Sequence, residues 1–276
     1  MRIAVTDGTR FNIEVAGADT APNPALVLLH GFTGCAANWN PHLALFGETS
    51  SVVTVDMLGH GESDTPANPL RYRMEYCLDD LAEIFDQLQI EKPILLGYSM
   101  GGRVALSFAI AHPDRVGKLI LESASPGLAE AEERAVRVAN DEGLAHRIER
   151  EGVEAFVNYW ERSPLFASQA RLPEAVRAAH RAQRLRNNPK GLANSLRGLG
   201  TGAQPPQWGR LPEVKMPALS IAGELDQKFS AVARSMVDSI PASTLAIVPE
   251  AGHTVHLEQP EAFDRVVVDW LLKTGE

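Results

Sequence analysis

Between Lys92 and Pro113 the chain has little freedom of fold. Pro93-Ile94-Leu95-Leu96-Gly97 reads as a short buried strand and Gly101 to Ala111 as a helix, with Gly97-Tyr98-Ser99-Met100-Gly101 joining the two. A strand that reverses into a helix within so few residues forces its central residue into a strained backbone, and side chains at positions 97 and 101 would collide. Glycine at both positions lets Ser99 stand proud of the sheet. The string by itself carries little information. The strand before it and the helix after it give it the geometry of a nucleophile elbow.

The rest of the chain supplies a sheet for that elbow. Ile3-Ala4-Val5 and Phe11-Asn12-Ile13-Glu14-Val15 alternate around Asp7-Gly8 as a hairpin does, and Ala25 to Leu29 is a solid apolar run suited to a strand covered on both faces. Ser51 to Asp56 predicts the next buried strand. Met74, Cys77, Leu78, Leu81, Ile84, Phe85 and Leu88 then recur at helical spacing. Lys118 to Glu122, Ala218 to Ala222 and Thr244 to Val248 predict further strands, with a helix from Ser230 to Ser239 and a last one burying Phe263, Val266, Val267, Trp270 and Leu271. Strands alternating with helices predict an α/β class chain with a mostly parallel central sheet flanked by helices. From about Pro126 to Pro206 the pattern is helical throughout, broken by Gly152, Pro164, Pro173 and Pro189. The expected organisation is a core of residues 1–126 and 207–276 with a helical cap inserted at 127–206, Pro205-Pro206 marking the hinge.

Composition narrows the function classes. A chain of 276 residues that is 45% hydrophobic buries a full core. Cys35 and Cys77 are too few for a disulfide framework and have no zinc-binding spacing, so no metal or cofactor is expected and a reduced, cytoplasmic protein is the simplest reading. No signal-peptide core follows Met1, and no apolar run approaches membrane length. A net charge of −9 argues against nucleic acid or anionic lipid as partner. That charge is unevenly spread. Residues 127–206 hold 12 Lys and Arg against 10 Asp and Glu, and the remainder 14 against 25. Within 162–197 seven Arg and one Lys face the single acid Glu174. Most such arginines are solvated, but a cluster above a candidate catalytic serine points to a small-molecule substrate with carboxylates or phosphates, which guanidinium groups pair in a two-pronged geometry.

A serine needs an imidazole to take its proton, and the imidazole needs a carboxylate to hold its tautomer. Asp226 follows the strand ending near Gly223 and His253 follows the strand ending at Val248, so both fall on the same sheet edge as Ser99. Glu224 competes for the acid role and His256 for the base. His30 and His60 are expected to brace loops, and His112, before Pro113, to end a helix. The backbone N–H groups of Met100 and Phe32 are candidate donors to a developing oxyanion.

Nearly end to end, the chain resembles the MenH family, the α/β-hydrolase-fold 2-succinyl-6-hydroxy-2,4-cyclohexadiene-1-carboxylate synthases of menaquinone biosynthesis. Leu29-His30-Gly31-Phe32-Thr33-Gly34, Gly97-Tyr98-Ser99-Met100-Gly101 and Ala251-Gly252-His253 carry the superfamily likeness. Arg103 directly after the elbow glycines, Ser123-Ala124-Ser125-Pro126-Gly127-Leu128 at the cap entry and Gly200-Thr201-Gly202-Ala203-Gln204-Pro205 at its exit are the specific matches. Relatives usually carry proline where this chain has Leu58. The resemblance implies a lyase that eliminates pyruvate from an enolpyruvyl cyclohexene bearing a succinyl group, with Ser99 of a Ser99-His253-Asp226 relay abstracting the ring proton and no acyl-enzyme forming. It further implies a polycarboxylate substrate held by Tyr98, Arg103, Arg137 and Arg186, with Trp160, or Tyr159 in its stead, as an aromatic wall. The same triad would serve a carboxylesterase or a carbon–carbon bond hydrolase of this fold, and a catalytically silent binding protein is a third reading.

Overall fold

The computed structural model describes residues 1–17 and 23–274. In chain order the elements are β1 (Arg2–Ala4), β2 (Arg10–Ala16), β3 (Asn23–Leu29), α1 (Asn40–Phe46), β4 (Ser50–Val55), α2 (Met74–Gln87), β5 (Ile94–Tyr98), α3 (Met100–Ala111) and β6 (Lys118–Glu122). Three long helices follow, α4 (Ala131–Trp160), α5 (Glu174–Leu185) and α6 (Pro189–Leu199), and then β7 (Ala218–Gly223), α7 (Gln227–Val237), β8 (Ser243–Val248), α8 (Val255–Glu258) and α9 (Pro260–Lys273).

The eight strands form one sheet in the order β1-β2-β4-β3-β5-β6-β7-β8. β1 and β2 run antiparallel to their neighbours, and every pairing from β4 onward to β8 is parallel. The hairpin turns at Gly8, whose φ of +85° suits a residue without Cβ. Central strands are mostly apolar because both faces are covered. Their alternation sorts side chains to the two sides. Val27, Leu29, Leu95, Leu119 and Leu121 pack with Leu81, Ile84 and Phe85 of α2, Val104 and Phe108 of α3 and Met236 of α7. Leu26, Leu28, Ile94, Leu96, Ile120 and Ile221 pack against Phe46 of α1 and Phe263, Val267 and Trp270 of α9. At roughly 1.5–3 kcal/mol for each large side chain buried, these two layers hold the sheet rigid beneath the elbow.

The helices between β6 and β7 have a small core of their own, made by Ala145, Ile148, Phe156, Val157, Leu192, Ala193 and Leu196. Phe32, from the loop after β3, packs into it. Gly152 breaks α4 with φ +83° and ψ 172°, and Pro164–Arg171 forms an eight-residue 3-10 helix. Both ends of this insertion meet: the Gln207 N–H donates to the Pro126 carbonyl at 2.7 Å and Trp208 Nε1 to the Gly127 carbonyl at 2.9 Å. Two departures from the sequence reading have identifiable reasons. α7 begins at Gln227 because the Asp226 carboxylate accepts the Phe229 N–H at 3.1 Å and caps the helix three residues earlier. α8 is a single turn, too short to leave a periodic pattern.

Candidate active site

Ser99 lies between β5 and α3 with φ +50° and ψ −104°, a backbone that only its neighbours can hold in place. A Cβ at Gly97 would overlap the Gly101 carbonyl oxygen, and one at Gly101 would overlap that of Leu29. The Ser99 N–H donates to the Glu122 carbonyl at 2.8 Å, tying the elbow to β6.

His253 Nε2 stands 3.0 Å from Ser99 Oγ, and His253 Nδ1 lies 2.7 Å from Asp226 Oδ2. Asp226 therefore uses one oxygen on the imidazole and the other on its own helix, which fixes the carboxylate's direction. Neither rival competes. Glu224 is exposed and accepts the Glu250 N–H at 3.2 Å, while His256 is paired with the fully buried Glu122 at 2.8 Å. Glu258 brackets the imidazole from outside, one carboxylate oxygen accepting the Gly252 N–H at 2.8 Å and the other the Thr254 N–H at 3.1 Å. The Phe32 and Met100 amides have no intramolecular acceptor among the described residues, and both residues line the cavity over Ser99. His30 receives the Met57 N–H on Nε2 at 3.0 Å, so its Nδ1 carries the proton and donates to the Gly31 carbonyl at 2.7 Å. His60 Nδ1 donates to the Leu58 carbonyl, and burial holds its pKa down at about 3.

The cavity over Ser99 has a volume of about 510 Å³ and is walled by the body on one side and α4, α6 and the 3-10 helix on the other. Its aromatic side is continuous: Phe32 meets Trp160 at 5.5 Å, Trp160 meets Phe166 at 5.6 Å and Phe166 meets His253 at 6.2 Å between ring centres. Its polar end holds Arg103 and Arg137. Arg103 is buried, and its Nη1 donates to the neutral Gln204 Oε1 at 3.0 Å. Burial, seconded by the nearby Arg137, lowers the Arg103 pKa to about 10. Arg137 is half-buried and bonds Asp141 through Nε at 2.8 Å, whereas burial raises the Asp141 pKa against the pull of the two arginines.

The structure does not bring Arg186 to this cavity. It caps the C-terminus of α5 on the exposed side and lines a separate hollow of about 200 Å³ with Asn12, Glu14 and Asp56. Two residues earlier Arg184 is buried, with its guanidinium 5.0 Å from the Phe166 ring centre and 3.3 Å from Glu161 Oε1. Arg184 reaches a void of about 20 Å³ that shares Phe32, Tyr98 and Phe166 with the main cavity. Burial lowers its pKa, Glu161 opposing. Tyr159 is exposed and stacks under Arg147, leaving Trp160 on the cavity wall.

A family model described as the alpha/beta hydrolase fold matches residues 24–260. A Bacillus subtilis (strain 168) protein provisionally named a 2-succinyl-6-hydroxy-2,4-cyclohexadiene-1-carboxylate synthase is 50% identical over 273 residues, 98% of this chain and 98% of its own. The Klebsiella pneumoniae synthase of that name is 34% identical over 246 residues, 87% of this chain and 90% of its own. The structure of MenH from S. aureus superposes with a TM-score of 0.92 at 37% identity, covering 96% of this chain and 99% of that one. The chain belongs to the MenH family. Its α/β-hydrolase fold is shared more widely: a thermophilic esterase from Thermogutta terrifontis superposes with a TM-score of 0.86 at 28% identity, covering 99% and 98%. Sequence reading missed Arg184 and Glu258; the 3.6-residue spacing of Val176, His180, Gln183, Arg184 and Asn187 marks the inward face of α5 and its extension, and would have found the former.

Proposed function

We propose that this enzyme is a 2-succinyl-6-hydroxy-2,4-cyclohexadiene-1-carboxylate synthase, a carbon–oxygen lyase of menaquinone biosynthesis. Its substrate is 2-succinyl-5-enolpyruvyl-6-hydroxy-3-cyclohexene-1-carboxylate, from which it eliminates pyruvate. One observation carries the reading beyond the family: Arg103 is a buried cation whose bond in the structure goes to a neutral amide. Arg103 and Arg137 share the single carboxylate of Asp141, which is bonded to Arg137. A buried cation so incompletely balanced is costly, and an anionic substrate supplies what is missing. A neutral ester would leave that cost standing.

In the proposed mechanism Asp226 holds His253 with Nδ1 protonated, so that Nε2 takes the Ser99 proton and Ser99 Oγ acts as base. Ser99 removes the ring proton next to the succinyl ketone. The electron pair of that C–H bond passes to the ketone, and the enolate oxygen is held by the Phe32 and Met100 amides. As the enolate collapses, the ring double bond shifts and the C–O bond to the enolpyruvyl group breaks, leaving the conjugated diene and releasing the enolate of pyruvate. The released enolate takes up the proton that the relay carries on His253 and so resets Ser99 and His253. Tyr98, Arg103, Arg137 and Arg184 bind the three carboxylates, and Trp160 backs the ring. The triad alone equally supports acylation of Ser99, as in the esterases that share the fold. Adding the enolpyruvyl substrate and following both pyruvate release and the ultraviolet absorbance of the diene decides between them. The lyase reading is lost should short acyl esters turn over rapidly while no pyruvate appears.

A further inference from the structure

Three polar side chains run from the 3-10 helix to the cavity without being part of the triad. Gln169 is buried, and its Nε2 donates to Thr254 Oγ1 at 3.0 Å. Thr254 follows His253 directly, is 1% exposed, and places Oγ1 2.7 Å from the Tyr98 hydroxyl. Tyr98 precedes Ser99 and lines both the main cavity and the 20 Å³ void beside Arg184.

Counting protons fixes the direction of this chain. Thr254 Oγ1 has one proton and two lone pairs, and Gln169 occupies one lone pair. Among the described residues the Tyr98 oxygen is the one acceptor within reach of the threonine proton. Were Tyr98 to donate to Thr254, the threonine hydrogen would be buried without a partner, at a cost of about 1–3 kcal/mol. With Thr254 donating to Tyr98 instead, the leftover proton is the phenolic one, on a residue that lines the cavity and the void beside Arg184. Burial, with Glu122 and Glu258 nearby, raises the Tyr98 pKa, so the phenol keeps its proton.

We propose that Gln169 and Thr254 are positioning residues that, acting through one hydrogen-bonded chain, turn the Tyr98 hydroxyl into a donor aimed at a carboxylate oxygen of the substrate. The proposal rests on the lyase reading above. It also links substrate binding to the seating of the 3-10 helix, because Ser168, beside Gln169, packs directly on Gly252 of the histidine loop. A donor pre-aimed in this way binds an anion without spending orientation entropy at the moment of binding.

The test uses the full-length enzyme and the enolpyruvyl substrate, with pyruvate release as readout and thermal melting to verify folding. Thr254→Val, which keeps the shape and removes the hydroxyl, is expected to raise KM about tenfold or more while kcat changes by less than about threefold. Thr254→Ser is expected to restore KM to within about threefold of wild type. Gln169→Leu is expected to raise KM by about threefold to tenfold, which keeps the proposal testable should Thr254→Val not fold. In a Tyr98→Phe background neither substitution is expected to add a further loss, since both act through the phenol. A Thr254→Val enzyme with wild-type KM, a serine variant as impaired as the valine one, or an undiminished effect in the Tyr98→Phe background each overturns the chain while leaving the lyase reading intact. Wild-type enzyme that releases no pyruvate overturns both.

Discussion

On the body side of the cavity each member of the proposed relay follows the end of a parallel strand, whereas on the helical side the proposed recognition falls to long side chains on helices. Ser99, Asp226 and His253 follow β5, β7 and β8, and their positions are over-determined by glycines that admit no Cβ, by the Asp226 helix cap and by the Glu258 bracket. Arg103, at the start of α3, belongs to the body and shares the polar end of the cavity with Arg137. On the helical side Arg137 is balanced by Asp141, and Arg184, at the neighbouring void, by Glu161. The difference teaches where each demand is met. Proton transfer needs groups fixed to a fraction of an ångström, and a packed sheet supplies that; binding a flexible poly-acid needs charge without full compensation, and a thin helical layer tolerates it.

The contrast is broken most directly at Ser99. Ser99→Ala is expected to lower pyruvate release by about three orders of magnitude or more with an unchanged melting temperature, since it removes the reacting atom and no packing. Labelling of Ser99 by a serine-directed phosphonate, lost in His253→Ala, checks that the relay is live. Arg103→Ala is expected to cost about two orders of magnitude in kcat/KM and to leave the melting temperature level or higher, because it removes a buried cation that shares its one nearby carboxylate, Asp141, with Arg137. The cap is sharpened by a pair: Arg184→Ala is expected to raise KM about tenfold, and Arg186→Ala to change it by less than about twofold.

The smallest effect concerns acid. Burial holds His60 and His180 at about 3, well below the ordinary histidine value, so folding favours their neutral form. A histidine whose folded pKa is lowered contributes stability that is present above pH 6.5 and is lost as pH falls toward the folded value. For the fully buried His60 this amounts to about 1.4 kcal/mol per pH unit over that range. Urea midpoints measured from pH 7 to pH 4.5 are expected to decline, and His60→Asn, which keeps the donor to the Leu58 carbonyl, is expected to flatten the slope.

The α/β architecture was legible because each buried strand writes itself as an apolar run and each surface helix as a 3.6-residue repeat. The groups at strand ends could be located for the same reason: a strand's end is visible in sequence, and the sheet brings those ends to one rim. Helix-borne groups are harder. Arg184 and Arg186 are two residues apart, which on a helix is a rotation of about 200°, so a small error of alignment exchanges an inward residue for an outward one. Glu258 and Gln169 left no signal, since their partners are backbone amides and a threonine hydroxyl brought near by folding alone.

The bond between Gln207 and Pro126 makes the eighty residues between them a cassette whose two leads leave the sheet side by side. Exchanging those eighty residues would replace the helical wall of the cavity while leaving β5, β7 and β8 in place, but a replacement would also have to supply the packing that Phe32 and Gly252 now receive from Phe156 and Ser168.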